Sequence, residues 1–363
     1  MSEINDKLQR LREWLQREQL DGVVLTTRAN FAWLTGGGDN HVVSQGDAGV
    51  AALYVSADAA CLIANDIEAP RLIAEEPVAA FALSRHPWTT SLGAAIATEV
   101  HGRVVSDDPT GTGLPPVPMS FLDVRAQLGD AELDRYRRLG ADCSAIIEGV
   151  ARGLQPGVSE QLTEAALAGA LLEHGIQPYV LLIAFDERLP RFRHPTPTTA
   201  TFSRQGMLVV CGQRDGLIAN LTRIVHVGAL SADLRARHAA VCGVEVAMWE
   251  ATRPGRSWGS IFACAQDAYA AAGFADEWQL HHQGGPTGYV GRDFLVVPGE
   301  ERVVLDRQAV AWNPSITGTK TEDTFVVMGE SREMITDCSS DWPTIDVTSP
   351  NGATIARPDI LEL

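Results

Sequence analysis

The first third of the chain alternates amphipathic helices with short apolar runs. Leu8, Leu11 and Leu15 recur at helical spacing and predict a first helix from about residue 5 to residue 18. Further helices are predicted near residues 69–76 and 91–101, and strands at residues 23–25, 50–55, 60–64 and 103–106. Residues 26–38, which end in three glycines, are interpreted as a loop. Alternating helices and strands are typical of an α/β layered domain.

The rest of the chain combines long helices with antiparallel strand pairs. Helices are predicted at about residues 131–153, 159–174, 232–252 and 257–271, and strands at residues 179–185, 207–211, 217–227, 278–281, 294–297, 309–313 and 324–327. Between the two parts, residues 107–118 contain four prolines and two glycines, which indicates a linker. We therefore predict two domains, residues 1–125 and 126–345, followed by a polar surface tail over residues 346–363.

Composition and charge narrow the class of protein. The 363 residues are 45% hydrophobic and 21% charged, as expected of a globular protein with a sizeable core. The net charge of −17 argues against nucleic acid as a partner, because phosphates require a basic surface. The six cysteines include no Cys-x-x-Cys pair, so neither a zinc site nor a disulfide framework is expected. No apolar run is long enough to span a bilayer and no signal peptide is evident, so we expect a cytoplasmic protein without a membrane partner.

Two segments carry candidate chemistry. His281 and His282 open a glycine-rich stretch that runs to Tyr289 and is followed by Arg292, while His194 directly follows Arg193 in a proline-containing loop. Histidine transfers protons near neutral pH, arginine binds carboxylates through two parallel hydrogen bonds, and glycine lets the backbone approach a ligand closely. A glycine-rich turn between two strands, with its histidines in the core, explains residues 281–289 equally well when they are taken alone.

Further motifs occur in a characteristic order: residues 30–36 are NFAWLTG, 155–160 QPGVSE, 193–195 RHP, 220–223 NLTR and 321–324 TEDT. Together they resemble the creatinase/aminopeptidase P superfamily, and the resemblance covers nearly the whole chain. It implies an α/β and α+β protein of two domains, in which an N-terminal creatinase-like domain is followed by a pita-bread catalytic domain. It also implies a homodimer in which the N-terminal domain of one chain helps to close the pocket of the other.

The metal ligands of that superfamily have few counterparts in this chain. Its peptidases bind two divalent metals through two aspartates, one histidine and two glutamates, a set suited to hard or borderline cations. The corresponding positions are Val210, Asn220, Gly285, Asn313 and Glu322, of which only Glu322 carries a carboxylate. The resemblance therefore implies that this chain uses no metal and no other cofactor.

The resemblance to creatinase, the metal-free hydrolase of the superfamily, is more informative. His194 and His281 match its active-site histidines, and Arg292 matches an arginine that contacts the carboxylate of the substrate. The two glutamates that bind the guanidinium group of creatine fall at Thr222 and Asn313, so creatine itself is not expected. Neutral residues there favour a neutral reacting group, such as an amide, a lactam or a ring nitrogen.

We therefore expect a metal-independent enzyme that acts on a small, carboxylate-bearing substrate. Its reaction would be hydrolysis of a C–N bond, or a histidine-mediated proton transfer such as elimination, cyclisation or isomerisation, with His194 and His281 as the catalytic residues. The expected substrate-binding residues are Arg292, Asn220, Thr222, Asn313, Glu322, Arg193, Arg223 and His282. Two alternatives stay open: an Xaa-Pro metallopeptidase with an aberrant metal site, and a non-catalytic binding protein on the same fold.

Overall fold

The structure, a computed structural model, describes residues 2–363. These residues form two compact units. One unit runs to Glu132 and includes Asp215–Leu217, and the other comprises Leu133–Arg214 and Ile218–Leu363. Within residues 2–363, no helix is both long enough and apolar enough to cross a bilayer.

The first unit is a mixed sheet with helices around it. Its elements are α1 (Glu3–Arg17), β1 (Gly22–Thr27), α2 (Arg28–Thr35), β2 (Ala48–Ser56), β3 (Ala60–Asn65), α3 (Ala69–Glu75), β4 (Ala82–His86), α4 (Leu92–Glu99), β5 (Val104–Ser106), α5 (Pro109–Thr112) and α6 (Phe121–Ala126). The strand order is β4-β3-β2-β1-β5, with β1 antiparallel to β2 and parallel to β5. Val24, Ile63 and Ile96 pack together in its core. This arrangement confirms the predicted α/β layering.

Residues 26–38 differ from the predicted loop, because most of them form helix α2. The Thr27 hydroxyl accepts a hydrogen bond from the Asn30 amide at the start of the helix, and Gly36 ends it with φ of 78°. Phe31 and Trp33 are fully buried. The prediction took the three glycines as evidence for a loop, whereas they lie at the end of a helix.

The second unit contains long helices and short strands. Its elements are α7 (Asp130–Arg152), α8 (Glu160–Glu173), β6 (Gln177–Phe185), β7 (Gln205–Arg214), β8 (Leu217–His226), α9 (Ala232–Ala251), α10 (Trp258–Ala271), β9 (Gly284–Thr287), β10 (Ala309–Trp312), β11 (Ser315–Ile316), β12 (Thr319–Lys320), β13 (Asp323–Met328), β14 (Ser331–Met334), β15 (Thr344–Thr348), β16 (Thr354–Pro358) and β17 (Leu361–Glu362). Short 3₁₀ helices span Asp186–Arg188 and Glu277–Leu280.

Two four-stranded sheets, β17-β8-β7-β6 and β14-β13-β10-β9, provide the framework of this unit. The second sheet packs against helices α9 and α10 through a core that contains Met248, Trp258, Trp312 and Phe325. Trp258 and Trp312 meet edge to face with 5.7 Å between their ring centroids. Strands β8, β9, β10 and β13 thereby hold the polar residues described below on rigid backbone.

The stretch around His281 also differs from the prediction. Residues 278–281 belong largely to the second 3₁₀ helix, and residues 294–297 form no strand. The strand in this region is instead β9, which pairs antiparallel with β10. Its sequence, Gly-Gly-Pro-Thr, has low strand propensity, and pairing with the fully buried β10 overrides that propensity.

The polar surface tail expected over residues 346–363 is regular structure. Strands β15 and β16 form a hairpin, and β17 runs parallel to β8 with Leu361 opposite Val225. Val347 packs with Cys242 and Val246 of helix α9. Polar and apolar residues alternate along this hairpin, because one of its faces is exposed. The segment is therefore polar in composition although it forms strands.

Candidate active site

Several elements of the second unit bring polar side chains together. Alternation along β8 directs Asn220 and Thr222 to the same face, while Arg223 points to the other face. The remaining members come from the loop after β6, the segment around β9, the end of β10 and the β12–β13 junction, and they are His194, His281, His282, Arg292, Asn313, Lys320 and Glu322.

Three histidines form one edge of this group. The Nε2 atoms of His281 and His194 lie 3.1 Å apart, and Nδ1 of His281 lies 3.2 Å from the Ser315 hydroxyl. The ring of His282 is tilted against both others, with centroid distances of 4.7 Å to His281 and 5.3 Å to His194. His281 is buried and His194 is exposed, so His194 is the ring that exchanges protons with the solvent.

The tautomer of His282 follows from its backbone contact. Its Nδ1 accepts a hydrogen bond of 3.2 Å from the Gly284 amide, so Nδ1 carries no proton. The neutral ring therefore bears its proton on Nε2. This leaves His282 as a hydrogen-bond donor within the group.

All three histidines favour the neutral form. Burial lowers the pKa of His281 far below its usual value, and nearby Lys320 and His282 lower it further. Burial and the Arg292 guanidinium lower the pKa of His282 to about 4. Partial burial and Lys320 also lower the pKa of His194. At pH 7 all three rings are neutral, and the exposed His194 is the ring best placed to take up a proton.

Glu322 lies at the centre of the polar group. Its Oε2 accepts hydrogen bonds from Lys320 Nζ at 2.7 Å and from Thr222 Oγ1 at 3.0 Å, and its Oε1 pairs with Arg292 Nη2 at 2.8 Å. Burial alone raises the pKa of this carboxyl, but Lys320 and Arg292 outweigh burial and hold the pKa at about 2. Two cations and one anion leave the group with one net positive charge.

Lys320 was not among the predicted site residues, although its side chain is buried and paired with Glu322. Lys320 and Glu322 are two positions apart, a spacing that places side chains on one face of an extended segment. That spacing was the available signal. Residues 314–323, between the strands predicted at 309–313 and 324–327, contain the two-residue strands β11 and β12, which turn Lys320 inward.

Two of the expected substrate-binding arginines have protein partners. Arg193 donates to Glu277 Oε2 at 2.7 Å and to Thr317 Oγ1 at 2.9 Å. Arg223 is fully buried behind β8, where it pairs with Asp323 at 3.0 Å. The structure therefore brings Arg193 to the rim of the group and keeps Arg223 outside it.

Arg292 is also held by the protein. Its Nη2 is bound to Glu322, and its Nη1 donates to the Gly291 carbonyl at 2.6 Å. Its Nε is buried and has no partner. Arg292 therefore differs from the expected free carboxylate clamp, and its Nε is the donor left for a ligand.

Two buried acceptors are likewise without a donor, namely Asn220 Oδ1 and Asn313 Oδ1. The orientation of Asn220 is fixed, because its Nδ2 donates to Thr287 Oγ1 at 3.2 Å while that hydroxyl donates to the Val290 carbonyl. Buried polar atoms in folded proteins nearly always have partners, so such atoms point to a ligand or bound water.

One small cavity borders this group at His281 and Lys320. A cavity of about 10 Å³, lined by Arg193, His281, Ser315 and Lys320, is open beside the histidines. This volume holds roughly one water molecule. A water there would lie within reach of neutral His281.

The histidines also have the spacing of ligands to a single metal ion. One nitrogen from each of His194, His281 and His282 lies within 4.8 Å of the others. Imidazoles suit borderline cations such as Zn²⁺. The charges of Lys320 and Arg292 oppose a dication there, and the Gly284 amide occupies Nδ1 of His282.

Comparison with known proteins identifies the fold. Residues 7–146 match the creatinase/prolidase N-terminal domain, and residues 134–329 match metallopeptidase family M24. The chain belongs to metallopeptidase family M24, within the creatinase/aminopeptidase P superfamily that the motifs predict. This confirms the two-domain fold, with a pita-bread domain after the N-terminal domain.

Individual relatives are distant in sequence. A probable dipeptidase PepE of Mycobacterium tuberculosis is 24% identical over 272 residues, which cover 70% of this chain and 72% of that protein. The structure of an Xaa-Pro dipeptidase from Bacillus anthracis aligns with a TM-score of 0.77 at 15% identity, over 99% of this chain and 100% of that one. Dipeptidase PepE from Mycobacterium ulcerans aligns with a TM-score of 0.76 at 18% identity, over 93% and 96%.

Proposed function

We propose that the protein hydrolyses a C–N bond in a small carboxylate-bearing substrate, with histidines handling the protons and without a pair of metal ions. The observation that carries the proposal is the pairing of both Glu322 oxygens, one with Lys320 and the other with Arg292. Glu322 occupies the position of a metal-ligating glutamate in the family's peptidases. Two side-chain cations here bind the oxygens that metals would need.

The other ligand positions support the same proposal. Asn220 and Asn313 are neutral, and neither Val210 nor its neighbours on β7 carry a carboxylate. A Cβ atom added to Gly285, at the position of the ligating histidine, would lie 2.7 Å from the Phe294 carbonyl. These residues do not fit two dications, which require several anionic oxygens. No step of the proposed reaction passes through a metal ion.

The histidine pair supports a proton-transfer role. Because His194 is neutral near pH 7, it can take a proton from an attacking water and return it to the leaving nitrogen. The 3.1 Å contact between the two Nε2 atoms lets His281 accept a hydrogen bond from protonated His194, and Ser315 orients His281 from the other side. In this proposal both histidines are catalytic.

The net positive charge of the polar group supports an anionic substrate. Lys320, Arg292 and Glu322 together carry one positive charge, in surroundings that screen charge poorly. The Nε2–H of His282 and the Nε–H of Arg292 are free to donate to a carboxylate or carbonyl oxygen. Thr222 would orient Glu322 and the substrate.

A dipeptidase activity is the second candidate, and the similarity to proteins named dipeptidases favours it. A dipeptide carries both a free carboxylate and a hydrolysable C–N bond, so it belongs to the same broad substrate class. The two candidates differ in the requirement for metal.

The decisive experiment is hydrolysis of a panel of N-substituted amino acids, including Xaa-Pro dipeptides. The protein is first treated with EDTA and then supplied with Mn²⁺, Co²⁺ or Zn²⁺. We expect C–N cleavage without metal, and a decrease in kcat/KM of about 10²–10⁴-fold in His194→Gln. His174→Gln, which replaces an exposed histidine outside the group, is the matched control.

Activity that depends on added metal and persists in His194→Gln would overturn the proposal and support the metallopeptidase candidate. The melting temperatures of both variants show whether the fold is intact.

A further inference from the structure

Resting on the proposed function, we infer that the substrate is a ureido acid, that is, an N-carbamoyl amino acid. The inference comes from three buried atoms of the polar group that have no partner: Asn220 Oδ1, Asn313 Oδ1 and Arg292 Nε. Two of them are acceptors that require N–H donors, and the third is a donor that requires an oxygen.

The three side chains come from neighbouring segments of the second unit: β8, the end of β10 and the loop after β9, the strand that pairs with β10. Asn220 is joined to Thr287 on β9, and Arg292 lies just beyond that strand. Asn313 follows β10, where its amide donates to the Gln283 carbonyl at 3.0 Å. Its Oδ1 lies 2.8 Å from the position that a Cβ atom of Gly284 would occupy. A side chain at Gly284 would thus close the space in front of this acceptor.

A ureido group matches this set of atoms better than its chemical neighbours do. Its two nitrogens donate N–H groups to the asparagine oxygens, and its carbonyl accepts from Arg292 Nε. An N-acyl group has a single N–H, so one buried acceptor would stay unpaired. A guanidinium group offers N–H donors but no acceptor. Leaving a buried polar atom unpaired is what makes such a site reject a close analogue.

Charge is a second reason to exclude a guanidinium group as the reacting group. Lys320 and Arg292 face the reacting end, and Glu322 balances only one of them. A cationic guanidinium would meet a net positive charge in poorly screened surroundings. A ureido group is neutral and meets no such repulsion.

The reaction balances with water alone. Water adds to the ureido carbonyl carbon, and His194 accepts the proton that the water loses. The bond between that carbon and the amino-acid nitrogen then breaks, and His194 returns the proton to the leaving nitrogen. The products are the free amino acid and carbamate, which decomposes to ammonia and carbon dioxide. No oxidant, reductant or second substrate is required.

The test compares three acids that share one carboxylate: N-carbamoylglycine, N-acetylglycine and guanidinoacetate. Hydrolysis is measured with the full chain in EDTA, and binding is measured by calorimetry with His194→Gln. We expect N-carbamoylglycine to exceed both others at least tenfold in kcat/KM and in affinity. Equal values for N-carbamoylglycine and N-acetylglycine would overturn the inference.

Asn220→Asp and Asn313→Asp keep the size of each side chain and make the acceptor anionic. We expect these variants, alone or combined, to move the preference from N-carbamoylglycine toward guanidinoacetate, with melting temperatures showing that each is folded. An unchanged preference in folded variants would also overturn the inference. Cleavage of none of these acids, together with metal-dependent dipeptide cleavage, would instead mark failure of the proposed function itself.

Discussion

Three histidines lie in mutual ring contact, and burial together with nearby cations keeps all of them neutral at pH 7. The groups that face His282 are His281, His194, Arg292, Lys320 and Glu322. Only the last of these is an anion, and it is already paired. Protonating His282 would therefore place a new charge beside two cations. The same arrangement that keeps the histidines neutral makes the folded protein sensitive to acid.

We predict that stability falls between pH 6.5 and pH 4 because of this cluster. Histidine in the unfolded chain titrates near 6.5, whereas the pKa of His282 in the folded protein is about 4. Between these values the unfolded state binds the extra proton, so acid favours unfolding, and above about pH 7 the effect disappears. His282→Asn preserves an acceptor for the Gly284 amide and should reduce the slope of unfolding free energy by up to about 1.4 kcal/mol per pH unit.

Urea unfolding at a series of pH values measures that slope. His101→Asn, at an exposed position, is the control and should leave the slope unchanged. A slope that is the same in His282→Asn and in the unmodified protein would contradict the prediction.

The sequence motifs predict that His194, His281, Thr222 and Glu322 belong to one group, because their order along the chain follows that of the superfamily's motifs; in the structure His194 contacts His281 and Thr222 contacts Glu322. Other features of the site could not be predicted from the sequence. Lys320 reaches Glu322 only because two very short strands reverse the chain, and such strands leave no periodic signal. The partner of Arg292 depends on side-chain placement, since an arginine matched to a substrate-binding position can instead pair within the protein.

At the scale of elements, the C-terminal hairpin supports the strand that carries the site. Arg357 on β16 reaches into the interior and bonds to Glu245 of α9 at 2.8 Å and to Asp323 of β13 at 2.6 Å. Asp323 follows Glu322 directly and also binds Arg223 of β8. The sequence indicated β8 and β13 through apolar runs, but the hairpin lacks such a run. Its role rests on one buried ion network.

We predict that Arg357→Met destabilises the protein by about 3–5 kcal/mol, because Glu245 loses its buried counter-charge and Asp323 loses one of two. The control is Arg235→Met, which breaks the pair between Arg235 and Glu362 on β17, with both side chains well exposed. That change should cost less than about 1 kcal/mol. Guanidinium unfolding measures both, and similar losses in the two variants would contradict a structural role for the buried network.

At the scale of the whole molecule, acidic residues outnumber basic ones by 46 to 29. Ion pairs such as Arg137 with Glu333 and Arg85 with Asp66 neutralise part of the surface, yet the net charge is −17. Excess like charge opposes the compact state, and the repulsion extends over about 30 Å at 10 mM salt but only about 8 Å at 150 mM. Salt weakens surface ion pairs as well, but each such pair contributes little.

We therefore predict that raising NaCl from 10 to 150 mM at pH 7.5 increases the unfolding free energy, by on the order of 1 kcal/mol. The same change near pH 4.9, the isoelectric point of the chain, is the internal control. There the net repulsion is gone and only the ion pairs respond, so salt should leave stability unchanged or lower it. Thermal melting at the two pH values measures both effects. Equal stabilisation by salt at both pH values would show that the net charge is not the cause of the stabilisation.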